Sequence, residues 1–304
     1  RAIDNAQLGK PQRDDAMIRT GDCYYVTKNN ATAITWYDKA INGGAVAKDY
    51  AQYQKGVCQG LEKKPYDKIL TLKALLQGKP NSQYAADAKF QLGETYLGLE
   101  KDADALNFYQ QVVTQHANSP HVRQSMLQSA LIDKRQGRTD KALDGFKAVV
   151  AKYPTMDGSR DALAGIESIY SQQGNVAAYE DYVKSLSFVD PASLDLDEKY
   201  FRSAEQLYFA EKCDQAVGAF RDYLAKYPNG AYALNAEFYT ADCLYRGKQD
   251  DAALPGFEKV VASGDPQFRE HSLAAASDIL FREKRWAAAL EYFTQLAQTA
   301  ALPV

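Results

Sequence analysis

Apolar residues along the chain recur at helical spacing, and the predicted helices come in pairs. The second helix of each pair opens after a polar turn. It then places Ala and, four residues on, an aromatic on one face. The stretch D-K-A-L-D-G-F-K-A-V-V-A-K-Y-P, Asp140 to Pro154, shows this most clearly, and it returns as D-Q-A-V-G-A-F-R-D-Y-L-A-K-Y-P at Asp214 to Pro228. In both, the Pro after Lys-Tyr ends the helix and starts the next connection.

Eight such helix heads follow at residues 33, 68, 105, 142, 178, 216, 253 and 289, separated by 35 to 38 residues. A fixed period of this length predicts an all-α solenoid, a right-handed superhelix of about eight antiparallel helix pairs. Ala fills the head in every unit except the second, which has Lys68. The fifth unit is degenerate and offers only Ala178 and Tyr182. Twelve residues before the head most units carry a small residue (Gly21, Gly56, Gly93, Ala130, Ala204, Ala241, Ser277) where the two helices approach closely. Ile166 breaks that rule beside Gly165.

Three irregular places matter. The opening residues 1–11 read as the tail of a second helix ending at Pro11. Pro255 falls about a turn into a second helix, at a cost of roughly 3 kcal/mol unless it sits in the first turn. The polar, Pro-containing run from Ser187 to Asp197 is the longest connection and predicts a hinge, dividing the array into residues 1–187 and 188–304. The half unit at the start, and A-L-P-V after the last helix, lead us to expect that the natural protein continues in at least one direction or that its ends pack on a partner.

Composition narrows the function classes. At 46% hydrophobic and 25% charged, the chain of 304 residues is a folded one. A net charge of -3 offers no basic surface for nucleic acid. No apolar run reaches the 18 or so residues that a membrane span needs. The four cysteines, Cys23, Cys58, Cys213 and Cys243, form no C-x-x-C pair and read as small packing residues. Cys213 and Cys243 could lie on adjacent units, which leaves one bridge open in an oxidising compartment. The three histidines, His116, His121 and His271, lack metal-ligand spacing, and Gly78-Lys79-Pro80 does not make a phosphate loop. No pair of carboxylates is singled out as acid and base. We therefore expect no enzyme, no metal and no cofactor.

Gly93, Tyr96, Ala105 and Tyr109, with Leu92 before them, resemble the L-G-x-x-Y…A-x-x-x-F core of the tetratricopeptide repeat, and the resemblance covers essentially the whole chain. The chain departs from that family in its longer period and in lacking the consensus Trp of the first helices. Trp36 and Trp286 lie in second helices instead. The period and the A-K-Y-P ending are similar to bacterial cell-envelope members: outer-membrane assembly lipoproteins, the Tol–Pal coordinating protein, and large multi-repeat proteins of Bacteroidota. Gly21 to Ile41 resembles the last group. The resemblance implies a periplasmic or outer-membrane-associated binding scaffold, with the cytoplasm as the alternative.

In that family one side of each first helix lines a concave groove. Here an acid follows the small packing residue, with an aromatic three further on: Asp22 and Tyr25, Glu167 and Tyr170, Glu205 and Tyr208, Asp242 and Tyr245, Asp278 and Phe281. Apolar residues four before the acids (Ile18, Leu163, Phe201, Phe238, and the weaker Ala274) widen the stripe. On one reading, the aromatics meet a protein or peptide partner and the acids select its basic groups alongside apolar ones. On the other, the aromatics pack on the neighbouring unit and the acids are merely solvated. Recurrence on one face over the last four units favours the first for that set. The second to fourth units carry Val57 with Gly60, Glu94 with Leu97, and Leu131 with Lys134. An acidic face would repel the carboxylate that co-chaperones of this family clamp. The expected function is a non-enzymatic interaction scaffold; the alternative is a spacer or self-associating segment.

Overall fold

The computed structural model describes residues 9–190 and 194–300. Among them sixteen helices run in pairs: α1 (Lys10–Val26), α2 (Asn30–Asn42), α3 (Lys48–Leu61), α4 (Pro65–Gly78), α5 (Ala85–Gly98), α6 (Asp102–Gln115), α7 (Val122–Arg135), α8 (Thr139–Lys152), α9 (Met156–Gln172), α10 (Val176–Lys184), α11 (Leu196–Phe209), α12 (Cys213–Lys226), α13 (Ala233–Arg246), α14 (Asp250–Ser263), α15 (Pro266–Arg282) and α16 (Trp286–Ala300). This is an α-solenoid of helix pairs, as the period predicts. Residues 1–8 and 301–304 lie outside the described residues, and with them most of the expected opening helix tail and the A-L-P-V end. Pro11 does not end a helix. It stands in the first turn of α1, where its missing N–H is not required.

Each pair closes through the same turn. One residue between the two helices adopts positive φ: Lys28, Lys63, Glu100, Gly137, Gly174, Glu211, Lys248 and Lys284. Its N–H, and the N–H after it, return to carbonyls of the first helix. Lys248 N donates to Tyr245 O at 2.9 Å and Gln249 N to Leu244 O at 2.9 Å. Only two of the eight are glycine, so six side chains sit in a left-handed conformation that costs roughly 1–2 kcal/mol each. Replacing Lys248 by Gly should therefore stabilise the protein by about 0.5–1 kcal/mol, the relief of strain exceeding the added freedom of the unfolded chain. Chemical denaturation of the single variant checks it; no gain would show that the turn carries no strain.

The helix heads pack as the spacing predicts. Ala33, Ala105, Ala142, Ala216 and Ala253 are fully buried, and so are the aromatics Tyr37, Tyr109, Phe146, Phe220 and Phe257 four residues on. The small residue of the first helix makes room for that aromatic. A Cβ on Gly21 would stand 2.7 Å from the Tyr37 ring, and one on Gly93 2.6 Å from the Tyr109 ring. In two of the pairs whose first helix has Ala instead, the second supplies the gap. Gly145 faces Ala130 and Gly256 faces Ala241, with hypothetical Cβ separations of 2.9 and 2.8 Å. In the degenerate fifth pair the buried residues are Tyr179 and Val183, one place beyond Ala178 and Tyr182, which are half-buried. Pro255 lies in the second turn of α14, with its ring exposed, and the helix runs on to Ser263.

The chain divides into two compact units, Arg1–Tyr153 and Pro154–Val304, rather than at 187/188. The Ser187 to Asp197 connection, of which residues 191–193 are outside the described set, runs within the second unit. What joins its two sides is a buried acid. Glu180 of α10 accepts from Tyr200 Oη of α11 at 2.8 Å, from Lys184 Nζ at 2.7 Å, and from Lys226 of α12. Lys199 also pairs with Glu167 of α9 at 2.5 Å, and Ser203 Oγ donates to Ser171 O at 2.6 Å. Burial alone would raise the Glu180 pKa, but its three donors pull it down to about 2. A depressed carboxyl stabilises the fold fully above its ordinary value and loses that contribution as pH falls toward the folded value. Between about pH 4.5 and 2 the second unit should thus lose about 2 kcal/mol through this group, the lysines' solvent contact limiting the effect. A Glu180→Gln variant, titrated by acid unfolding, should lack this step.

Candidate functional site

Over the last three pairs of the second unit the acid–aromatic pattern makes struts between successive pairs. Tyr208 Oη of α11 donates to Asp242 Oδ2 of α13 at 2.8 Å, and Tyr245 Oη of α13 donates to Asp278 Oδ2 of α15 at 2.7 Å. The aromatic of one pair therefore bonds the acid of the next, 33 or 34 residues on. An arginine four residues after each acid completes the arrangement. Arg246 approaches Asp242 at 3.7 Å, and Arg282 bridges Asp278 at 2.9 Å and Asp250 at 2.6 Å. Their guanidinium groups lie 5.9 Å from the Tyr208 ring centre and 5.6 Å from that of Tyr245.

Asp242 is the buried centre of the face, and His271 Nε2 of α15 stands 3.2 Å from its Oδ1. Burial would raise its pKa, yet the hydrogen bonds from His271 and Tyr208 hold it below the usual carboxylate range. The bond to Asp242 raises His271 above the ordinary histidine value, against its own desolvation. Burial, then Asp242, pushes the Tyr208 hydroxyl up to about 12. These hydroxyls are committed donors. Among the described residues no cluster of His, Cys, Asp and Glu is placed to hold a metal ion.

The remaining predicted residues divide three ways. Phe201 and Phe238 are core: 1% and 6% exposed, they stack on Tyr232 at 4.5 Å and Phe268 at 4.2 Å. Ile18 and Leu163 are also buried. Glu205 pairs with Arg202 at 2.7 Å, Glu167 with Lys199, and Asp22 accepts from Tyr37 and Tyr50, both at 2.9 Å. Tyr25 and Tyr170 are half-buried, Ala274 is exposed, and Phe281 is 54% exposed. The acids are thus engaged by the chain's own donors, and the face is not the bare acidic surface expected. The sequence reading missed Phe209, which is 67% exposed and packs its edge on Tyr208 and Tyr239. Its register was the available signal: it stands four after Glu205, where the next two pairs have Arg246 and Arg282.

Of the cysteines, two form the bridge that the sequence left open, one packs in the core, and one is exposed. Cys213, the first residue of α12, is bonded to Cys243 of α13; Cys58 is buried and free, and Cys23 is exposed. The bridge lines a cleft of about 460 Å³ with Arg221 and Arg246.

Two family models, each described as tetratricopeptide repeat, match the sequence, one at residues 87–119 and 124–155 and the other at 1–50 and 201–269. Together they span more than half of the chain, which is built of tetratricopeptide repeats. No curated protein sequence matches it. Among solved structures it is similar to that of Naa15/Naa10 bound to HypK-THB, at 15% identity and a TM-score of 0.59 over 93% of this chain and 42% of that one. It is also similar to a tetratricopeptide repeat protein from Parabacteroides merdae ATCC 43184, at 16% identity and 0.43, over 82% and 92% of the two chains. YrrB, described as a TPR protein with an unusual peptide-binding site, is 19% identical with a TM-score of 0.44, over 62% of this chain and 84% of that one. At these identities the likeness is one of fold.

Proposed function

We propose that the chain is a non-enzymatic scaffold that holds a peptide or protein segment along the α11, α13 and α15 face of its second unit. The observation that carries this reading is the pair of exposed rings, Phe209 and Phe281, on a face whose other side chains are already tied down. Rigid aromatic surface gives contact at little entropic cost, because the Tyr–Asp struts have fixed the backbone beneath it. Arg202, Arg246 and Arg282 neutralise the neighbouring acids, so selection rests first on apolar and aromatic groups of the partner and only then on its basic ones. We place this scaffold in the bacterial envelope as part of the proposal. The Cys213–Cys243 bridge supports that part, since such bonds persist in oxidising compartments.

Photo-crosslinking from a benzoylphenylalanine at position 209, in the native cell, tests the face. The reading predicts discrete protein adducts from 209 and none from position 131 of the first unit. Equal labelling from both would contradict it.

One observation favours self-association as a second reading. Phe293 of α16 is 41% exposed, although Phe220 and Phe257 at the same repeat position are fully buried, and Trp286 and Leu290 beside it are exposed too. Light-scattering mass separates the two, because a strict monomer leaves only the first.

A further inference from the structure

The second pair breaks the packing rule in one place. Where five other pairs bury an alanine completely, α4 carries Lys68, itself only 9% exposed. Gly60 of α3 makes the space: a Cβ there would stand 3.2 Å from Lys68 Cδ and 3.4 Å from its Nζ. The stem passes through that gap, and the ammonium reaches α5, donating to Gln91 Oε1 at 2.7 Å. That partner is a neutral amide, and among the described residues no carboxylate forms an ion pair with Lys68. Burial holds its pKa below the ordinary lysine value, with Glu94 acting in the opposite sense. Glu94 itself accepts the Tyr109 hydroxyl. A buried cation whose hydrogen-bond partner is a neutral amide costs free energy that an apolar or small residue would not. Such departures from local packing rules concentrate at functional places.

Lys68 lines a cleft of about 340 Å³ with Gly60, Lys63, Glu94, Thr95 and Leu99. Lys63 is exposed at its edge, so the charged lining is two cations to one acid. The start of α4 adjoins the same cleft through Pro65, and no side chain caps it. Its positive end adds to the field there.

We propose that this cleft is a subsite for a carboxylate, the side chain of a Glu or Asp in a bound peptide, with Lys68 as its counter-ion. The inference rests on the scaffold reading for its peptide, but it concerns the first unit and does not need the aromatic face. A carboxylate meeting Lys68 forms a charge-assisted hydrogen bond that offsets the cost of the ammonium's burial.

The test is a pH titration of lysine 13Cε resonances in the full chain, with Lys68 assigned by its loss in Lys68→Met. Three probes are compared: N-acetylglutamic acid α-amide, its glutamine counterpart, and N-acetylglycine. The acidic side-chain probe should raise the Lys68 pKa saturably by about one pH unit or more, as an opposite charge at contact does. The glutamine probe should leave it unmoved. Gly60→Ala, which narrows the gap, should weaken the response at least severalfold, and it supplies the control should Lys68→Met fail to fold. An equal response to the glutamine probe, or no response to either acid, overturns the proposal. A response to N-acetylglycine alone overturns the side-chain assignment in favour of a chain terminus. None of these outcomes touches the crosslinking from position 209, so the two readings fail separately.

Discussion

Reducing the Cys213–Cys243 bridge should lower the stability of the second unit by about 3–4 kcal/mol, since a closed loop of about 15 residues contributes about 3 and one of about 100 residues about 4.7. The bridged residues are 30 apart and join α12 to α13, so reduction frees the junction between two successive pairs. Stability in a repeat array is carried by neighbouring pairs, so the loss should stay local. The two tryptophans allow this to be seen directly, since Trp36 lies in the first unit and Trp286 in the second. In a Trp36→Phe variant, urea unfolding followed by fluorescence should shift markedly on adding dithiothreitol. In a Trp286→Phe variant it should not. Equal shifts would mean that the units do not unfold separately; no shift in either would mean that the bridge contributes nothing.

Replacing Gly93 by Val should cost the first unit about 3 kcal/mol, at the upper end of overpacking penalties. The added Cβ would meet three atoms of the Tyr109 ring at 2.6, 2.8 and 3.1 Å. The ring cannot swing aside. Tyr109 is fully buried, its hydroxyl is held by Glu94, and Phe90 lies 6.1 Å away centre to centre. Gly218 of α12 provides the contrast, since nothing stands within 4 Å of a Cβ there. Gly218→Ala should stabilise by about 0.5–1 kcal/mol through helix propensity alone. Denaturation midpoints of the two variants should move in opposite directions. If both move the same way, close approach is not what places glycine in the first helices.

Most of the architecture was legible because it repeats. Seven Ala heads and their aromatics announce themselves at fixed spacing, and a register error in one unit is corrected by its neighbours. The fifth pair slips by one place because Val176 and Tyr179 carry the burial there, and an Ala at 178 gave no warning. The unit boundary was hidden for a different reason. Polar, Pro-containing residues at 187–197 look like a hinge, but Glu180, which looks like a surface residue, binds both sides together. The turns concealed their strain because Lys28, Lys63 and Glu211 do not advertise positive φ as glycine does.

At the candidate site the pattern was visible and its pairing was not. Acid and aromatic at three-residue spacing suggested neighbours on one helix. The tyrosine hydroxyl instead reaches beyond its own helix to the next acid, which only three-dimensional stacking reveals. That stacking also decides which aromatics face outward. Phe201 and Phe238 go to the core because Tyr232 and Phe268 cover them, whereas Phe209 stands beyond the reach of such cover.

The direct test of the scaffold reading is quantitative affinity capture from the native cell with the wild-type chain and a Phe209→Ala/Phe281→Ala variant. Both side chains are exposed, so the variant should fold and melt as the wild type does. Loss of two interface anchors at about 1–2 kcal/mol each should reduce capture of the bound partner by tenfold or more. Undiminished capture by a variant with a wild-type melt would contradict the assignment of this face.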